Sequence, residues 1–287
     1  MFLIIIIIAI CSLQCSVFQR MQTVQTIKHE FSVDENSITY IGHATTLIQL
    51  KDINVLTDPN FNDWVSIVHR SREAGMKIEN LPQIDAILIS HPHYDHLDKW
   101  TLEQLSKEIP IVISKGNGER LRELGFTNVL ELNPWDSLKV KNTKIIAVPA
   151  QHSGSRNSPW ADFPKALGYI VQGDKTVYFA GDTGIFEEMK DIGNYVRIDV
   201  ALLPIGAFRP RWFMKDHHMG PEDALEAMRM LNVKEMIPIH WGSFVMALDG
   251  LDEPKEVLSE LIKKDSLREK IHILENGMKY YFKKELL

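Results

Sequence analysis

Short apolar runs recur along this chain, each closed by glycine, proline or a polar turn. Ser37-Ile38-Thr39-Tyr40-Ile41, Leu47-Ile48-Gln49-Leu50 and Asn54-Val55-Leu56-Thr57 predict a small antiparallel meander, with a tight break over Gly42 to Thr46. Ile84 to Ser90, Ile111 to Ser114, Lys144 to His152, Val200 to Ile205 and Met236 to His240 are apolar and mostly rich in β-branched residues. That is the pattern of strands covered on both faces. Leu167 to Val171 and Thr176 to Ala180 predict a hairpin turning at Gly173-Asp174. Helical spacing appears between these runs. It is seen at Trp100 to Leu105, where Thr101 and Gln104 offer a capping box, and at Glu119 to Gly125, closed by its glycine. Pro221 to Met228 has proline in its first turn and acids at its positive end, and Glu253 to Lys263 is amphipathic. Trp64 to Met76 reads as a loop or short helix, and Lys279 to Phe282 as the last strand. The repeated β-then-α order predicts an α/β body with no internal repeat.

At 287 residues the chain has room for one large α/β unit or two average domains. A net charge of -6, with no long basic block, argues against nucleic acid as the main partner. Both cysteines, Cys11 and Cys15, precede the folded body, so no disulfide staples it and its metal ligands must be His, Asp or Glu. Residues 1–18 are dominated by an apolar run from Phe2 to Ile10 and carry no charged side chain. They predict a secretory signal or a short membrane anchor; lipid attachment at Cys11 or Cys15, as in a bacterial lipoprotein, is an alternative whose small-residue pattern neither context matches well. The expected location is membrane-associated or exported, or cytoplasmic if translation starts at Met21 instead. Residues 19–36 read as a linker and residues 37–287 as the catalytic body.

The chemistry concentrates in Ser90-His91-Pro92-His93-Tyr94-Asp95-His96-Leu97-Asp98, where a buried strand ends. In an extended segment His91 and His93 project to one side and can converge on a cation, while Asp95 and His96 follow a turn and face a second. So many ionisable groups would repel and desolvate one another without an ion. Imidazole and carboxylate suit zinc, and also iron or manganese.

The pattern His-x-His-x-Asp-His resembles the signature of the metallo-β-lactamase superfamily. That resemblance implies an αββα sandwich of two mixed β-sheets flanked by helices, with the site at one edge. It also implies further ligands at the ends of later strands, and His152, Asp182 and His240 stand at such ends. The implied division is His91, His93 and His152 for one ion, Asp95, His96 and His240 for the other, and Asp182 bridging. Two divalent ions about 3.5 to 4 Å apart lower the pKa of a shared water toward about 7. The reaction class is hydrolysis, with Asp95 and Asp182 as catalytic carboxylates. Two Zn2+ are expected because all four motif positions are intact, whereas di-iron redox relatives replace a motif histidine with an acid. Asp58, before Pro59, either hydrogen-bonds a ligating histidine or caps a turn.

A closer resemblance is carried by Ile41 to Thr46, Leu56 to Pro59, Ser90 to Asp98, Pro149 to His152, Phe179 to Gly184, Leu203 to Ala207, Pro210 to Met214 and Ile239 to Gly242. These segments are similar to the N-acylphosphatidylethanolamine-hydrolysing phospholipase D family. The resemblance implies zinc-dependent release of N-acylethanolamine and phosphatidic acid, with the seven residues above as ligands. Two features depart from it: the loop after His152 lacks a Trp-rich run, and the N-terminal extension is reduced to a short apolar segment. Ser153 to Lys165 reads as a substrate-facing insertion. Phe208 to Met214 holds three aromatics with Arg209 and Arg211, a mix suited to a membrane surface and an anionic phosphate, or to a loop folded over a sheet edge. Trp212 belongs to that loop. His217 and His218 nearby are candidates to meet a substrate phosphate, or are solvated. The competing readings are a sugar-phosphate lactonase type of enzyme and a metal-stabilised binding protein without turnover; self-association is left open.

Overall fold

The computed structural model describes residues 36–156, 165–264 and 270–283. The apolar start, residues 19–35 of the linker and most of the Ser153 to Lys165 loop lie outside the described residues. Among the described residues the strands are β1 (Ser37–Gly42), β2 (Thr45–Leu50), β3 (Ile53–Thr57), β4 (Trp64–Val65), β5 (Val68–His69), β6 (Ala86–Leu88), β7 (Ile111–Ser114), β8 (Val129–Leu132), β9 (Ser137–Val140), β10 (Thr143–Ser153), β11 (Lys165–Gln172), β12 (Thr176–Phe179), β13 (Val200–Pro204), β14 (Glu235–Ile239) and β15 (Lys279–Tyr281). The helices are α1 (Lys99–Gln104), α2 (Gly118–Glu123), α3 (Met189–Tyr195), α4 (Arg211–Met214), α5 (Pro221–Met230) and α6 (Glu253–Lys264).

The strands form a seven-stranded sheet ordered β15-β1-β2-β3-β6-β7-β8 and a six-stranded sheet ordered β14-β13-β12-β11-β10-β9. Each is antiparallel on one side and parallel on the other, the change coming at β3/β6 and at β12/β13. Strict alternation assigns the faces of the first sheet. Val55, Ala86, Leu88 and Val112 turn toward the second sheet and join Val148, Tyr169 and Val171 in one core. Leu56, Ile87, Ile111 and Ile113 turn the other way, onto Leu102 of α1 and Leu121 of α2. The outer face of the second sheet is covered by Ile192, Leu225, Met228 and Leu258 from α3, α5 and α6. The result is the four-layer αββα sandwich, with apolar strands where both faces are covered.

Several local expectations change. Trp64 to Met76 contains the hairpin β4–β5 rather than a helix. Helix α1 is capped by Asp98, whose side chain accepts from the Thr101 amide, while the Thr101 hydroxyl accepts from the Phe61 amide. Part of the Phe208 to Met214 loop winds into α4. β8 and β9 were not anticipated.

Candidate metal centre

The site lies at one edge because the parallel strands deliver their C-terminal ends there, the usual place for chemistry in such sheets. Asp58 follows β3, His91 follows β6, Asp182 follows β12 and His240 follows β14, while β10 carries His152 near its own end. The β1–β2 turn reaches the same edge and adds His43. Two glycines allow the approach. At Gly181, with φ of +61°, a Cβ would sit 2.4 Å from Ser90 Cβ, so a side chain there would push Asp182 away from the first sheet. At Gly206 it would meet the His240 carbonyl at 2.0 Å.

His91, His93 and His152 form one group of donors. Their outer nitrogens are each fixed by an acceptor. His152 Nδ1 donates to the His217 carbonyl (2.9 Å), and His93 Nε2 donates to the Ser155 carbonyl (3.1 Å). Ser90 Oγ donates to Asp58 (2.6 Å), so at 2.9 Å it must accept from His91 Nδ1. Burial, reinforced by neighbouring imidazoles, holds His91 and His152 well below the usual histidine pKa, and burial also lowers that of His93. Three neutral rings therefore turn unprotonated nitrogens on one another, His93 Nδ1 standing 2.8 Å from His91 Nε2 and 3.2 Å from His152 Nε2. Electron pairs facing each other at that distance repel. A shared cation removes the conflict, and the donor set fits one.

The second group is Asp95, His96 and His240, joined by His43. His96 Nδ1 donates to Asp58 Oδ2 (2.6 Å), which leaves Nε2 facing Asp95 Oδ2 at 3.2 Å and Asp182 Oδ2 at 3.1 Å. His240 Nε2 lies 3.2 Å from Asp182 Oδ1 and 3.5 Å from Asp95 Oδ2. Burial opposes charge on these rings, yet the surrounding carboxylates, Asp182 first, raise His96 well above the usual value and His240 to about 9. Burial likewise opposes charge on Asp95 and Asp182, but the adjacent imidazoles hold both well below the carboxylate range. Although these groups lie within ion-pair distance, His96 Nε2, His240 Nε2 and Asp182 Oδ1 are buried without an aligned hydrogen bond. Atoms aimed at a common point rather than at each other again fit a cation. Asp182 touches both groups, its Oδ2 lying 4.0 Å from His91 Nε2.

Asp58 is the common support. Fully buried, it accepts from the Ser90 amide (2.7 Å) and hydroxyl and from His96, so it orients His96 directly and His91 through Ser90.

The remaining sequence candidates divide. His218 enters the site, with Nδ1 3.7 Å from Asp182 Oδ2 and its ring 4.9 Å from that of His152; burial lowers its pKa to about 4. His217 contributes its carbonyl to His152. Arg209 is paired with Glu253, and Arg211 with Asp223 and the His218 carbonyl, so both guanidiniums hold the loop in shape. Trp212 is 81% exposed. Sequence reasoning missed His43, which stands 2.9 Å from Asp95, and Arg156, which donates to the Pro92 and Leu97 carbonyls (2.7 and 3.0 Å) and lies over the Tyr94 ring. For His43 the available signal was a histidine beside glycine in a tight turn between apolar strands.

Comparison with known proteins places this geometry. A family model described as the beta-lactamase superfamily domain matches residues 53–241. N-acyl-phosphatidylethanolamine-hydrolyzing phospholipase D 1 of Caenorhabditis elegans is 36% identical over 245 residues, covering 78% of this chain and 69% of that protein. The mitochondrial N-acyl-phosphatidylethanolamine-hydrolyzing phospholipase D of Saccharomyces cerevisiae is 31% identical over 265 residues, with 83% of this chain spanning only 54% of its length. A metal-dependent hydrolase of Methanopyrus kandleri is 30% identical over 256 residues, covering 85% of this chain and 98% of that one. Among solved structures, the metallo hydrolase Igni18 of Ignicoccus hospitalis superposes with a TM-score of 0.68 at 24% identity, covering 87% of this chain and 99% of the other, a likeness of fold.

Proposed function

This chain belongs to the beta-lactamase superfamily as a metal-dependent hydrolase, and from that premise we propose a di-zinc phosphodiesterase of phospholipase D type. Its substrate on this reading is N-acylphosphatidylethanolamine or a related phospholipid, cleaved to N-acylethanolamine and phosphatidic acid. The observation that carries the reading is Asp182, whose two oxygens lie 3.1 and 3.2 Å from His96 and His240 while the neutral histidine group adjoins it.

His91, His93 and His152 would hold one ion, Asp95, His96 and His240 the other, and Asp182 both. Bound there, two divalent ions supply Lewis acidity toward a phosphoryl oxygen and bring a water pKa toward about 7. The protein's own groups do the rest. Ser90 is fully buried and its hydroxyl is committed to Asp58, so it does not serve as a nucleophile. On this reading His218, 3.7 Å from Asp182 through its Nδ1, would meet the phosphate or the leaving group. Arg211 keeps it there by binding its carbonyl.

An amphiphilic substrate is supported by exposed apolar side chains on segments that also carry site residues. Trp212 and Phe213 precede His217 and His218, Val245 and Met246 follow Phe244 against His43, and Trp64 and Ile67 lie on the hairpin held by buried Arg70 beneath Phe244. The same reading puts the chain at a membrane surface; among the described residues no helix is long and apolar enough to cross one. A second reading is a lactonase; the archaeal relative, a metal-dependent hydrolase whose name gives no substrate, is matched over 98% of its length. The test is turnover of the zinc-loaded protein on N-acylphosphatidylethanolamine in mixed micelles and on a lactone panel. Release of N-acylethanolamine is expected, whereas lactone opening without phosphodiester cleavage would overturn the assignment.

A further inference from the structure

His43 is 1% exposed and occupies the β1–β2 turn with φ of 57°, a left-handed conformation uncommon for a residue with a side chain. Two side-chain contacts explain why so costly a position holds a histidine, and a backbone contact fixes the turn beside His240. Its Nε2 lies 2.9 Å from Asp95 Oδ2. Its carbonyl accepts from the His240 amide at 2.7 Å. Its ring lies against that of His240, centroids 4.0 Å apart, with Phe244 edge-on at 5.3 Å on it as well.

The ring's protonation follows from the neighbours. In the histidines that turn a bare nitrogen inward, His91, His93 and His152, the opposite nitrogen is fixed by an acceptor. His43 Nδ1 is buried with no partner, while Nε2 stands at hydrogen-bond distance from an acceptor-only carboxylate, Asp95, so the geometry puts the proton on Nε2. A residue of the first sheet thus restrains a side chain and a backbone amide of the Asp95, His96 and His240 group. It makes no such contact with His91, His93 or His152.

We propose that His43 is a positioning residue that sets metal affinity in one half of the centre, by donating its Nε2 proton to Asp95. This rests on the two-ion reading and goes beyond it. Because the effect runs through Asp95, removal of the ring weakens one ion and spares the other.

The experiment is Co2+ titration of the metal-depleted full chain, followed by calorimetry and visible absorption, for the wild type, His43→Ala, His43→Asn and His43→Gln. The wild type takes two equivalents. His43→Ala keeps one affinity unchanged and loses about 10- to 100-fold on the other, the usual cost of removing a group that orients a ligand. His43→Gln, whose amide nitrogen can take the place of Nε2, recovers most of that loss with an unaltered spectrum at saturation. Should His43→Ala fail to fold, His43→Asn replaces it: asparagine tolerates the left-handed turn but stops short of Asp95, so it shows the same selective loss. Equal weakening of both equivalents, no weakening, or a changed saturated spectrum in His43→Gln would overturn the proposal, the last by making His43 a ligand. A wild type that binds a single equivalent would instead remove the two-ion reading on which it stands.

Discussion

The two halves of the centre are built on opposite principles. His91, His93 and His152 are neutral nitrogens whose direction is fixed from outside by two carbonyls and a hydroxyl. Asp95, His96 and His240 are held by charge, with carboxylates and raised imidazoles balancing one another in a buried space. Burial keeps the rings of the first half neutral to lower pH than a free imidazole. On the proposed two-ion reading, an ion in the second half would have to displace protons, and the same cation would meet two different affinities.

Removing what the halves share should break the comparison most severely. Asp182 faces both groups, and Asp182→Asn keeps its shape while taking away the charge. Loss of an orienting group beside a metal ligand typically costs about 10- to 100-fold, so loss of a shared ligand should cost more than about 100-fold in kcat/KM. Turnover and metal content measured together check this. Unchanged turnover would remove Asp182 from the bridging role.

Varying pH sharpens the contrast without mutation. His240 is raised from the ordinary histidine value of 6.5 to about 9, so ion binding in its half would release a proton below that pH. Affinity there should rise about tenfold per pH unit up to about 9 for each proton displaced, while affinity in the His91 half stays flat, its rings already neutral. Stability follows the same sign. In the metal-free chain the His240 contribution is full below pH 6.5 and is lost as pH rises through about 9. Thermal melting of metal-free protein should therefore fall over that window, and melting of the zinc-loaded protein should not.

Asp58 supports both halves unequally, since it touches His96 directly and His91 only through Ser90. Asp58→Asn should weaken the His96 half by about 10- to 100-fold and the His91 half by less, read as two separate Co2+ affinities. Equal losses would show that Ser90 transmits as much as a direct contact.

The same division explains what could be read in the sequence. The strands between the covered faces were legible because burial on both sides leaves an unbroken apolar run, as in Ile111 to Ser114. The ligand pattern was legible because His91 to His96 compresses four donors into one turn. β8 and β9 escaped because their residues are only partly buried, which weakens the alternation that marks a strand. Thr101 looked like a cap, but tertiary structure gives its hydroxyl to Phe61 and the cap to Asp98. Arg209 and Arg211 looked available for phosphate because their partners, Glu253 and Asp223, become neighbours only on folding. His43 belongs with these: its meaning lies in Asp95 and His240, which no local pattern brings near it.

Arg156 offers the smallest and most discriminating change. Its guanidinium donates to the carbonyls of Pro92 and Leu97 and lies 3.9 Å from the centroid of the Tyr94 ring. Those contacts bracket the segment carrying His93, Asp95 and His96, donors to both halves. Arg156→Ala frees the segment without touching any ligand, and each hydrogen bond lost is worth about 0.5 to 1.5 kcal/mol net. Both Co2+ affinities should therefore fall together, by about 2- to 10-fold. Arg156→Lys should recover part of the loss, because one nitrogen, Nη1, serves both carbonyls and an ammonium has three donors, while the stacking on the Tyr94 ring is not replaced. A loss confined to one half would mean that the segment moves in parts, with His93 and Asp95 positioned independently. A shared loss beside the selective loss at His43→Ala would separate what holds the centre together from what makes its halves differ.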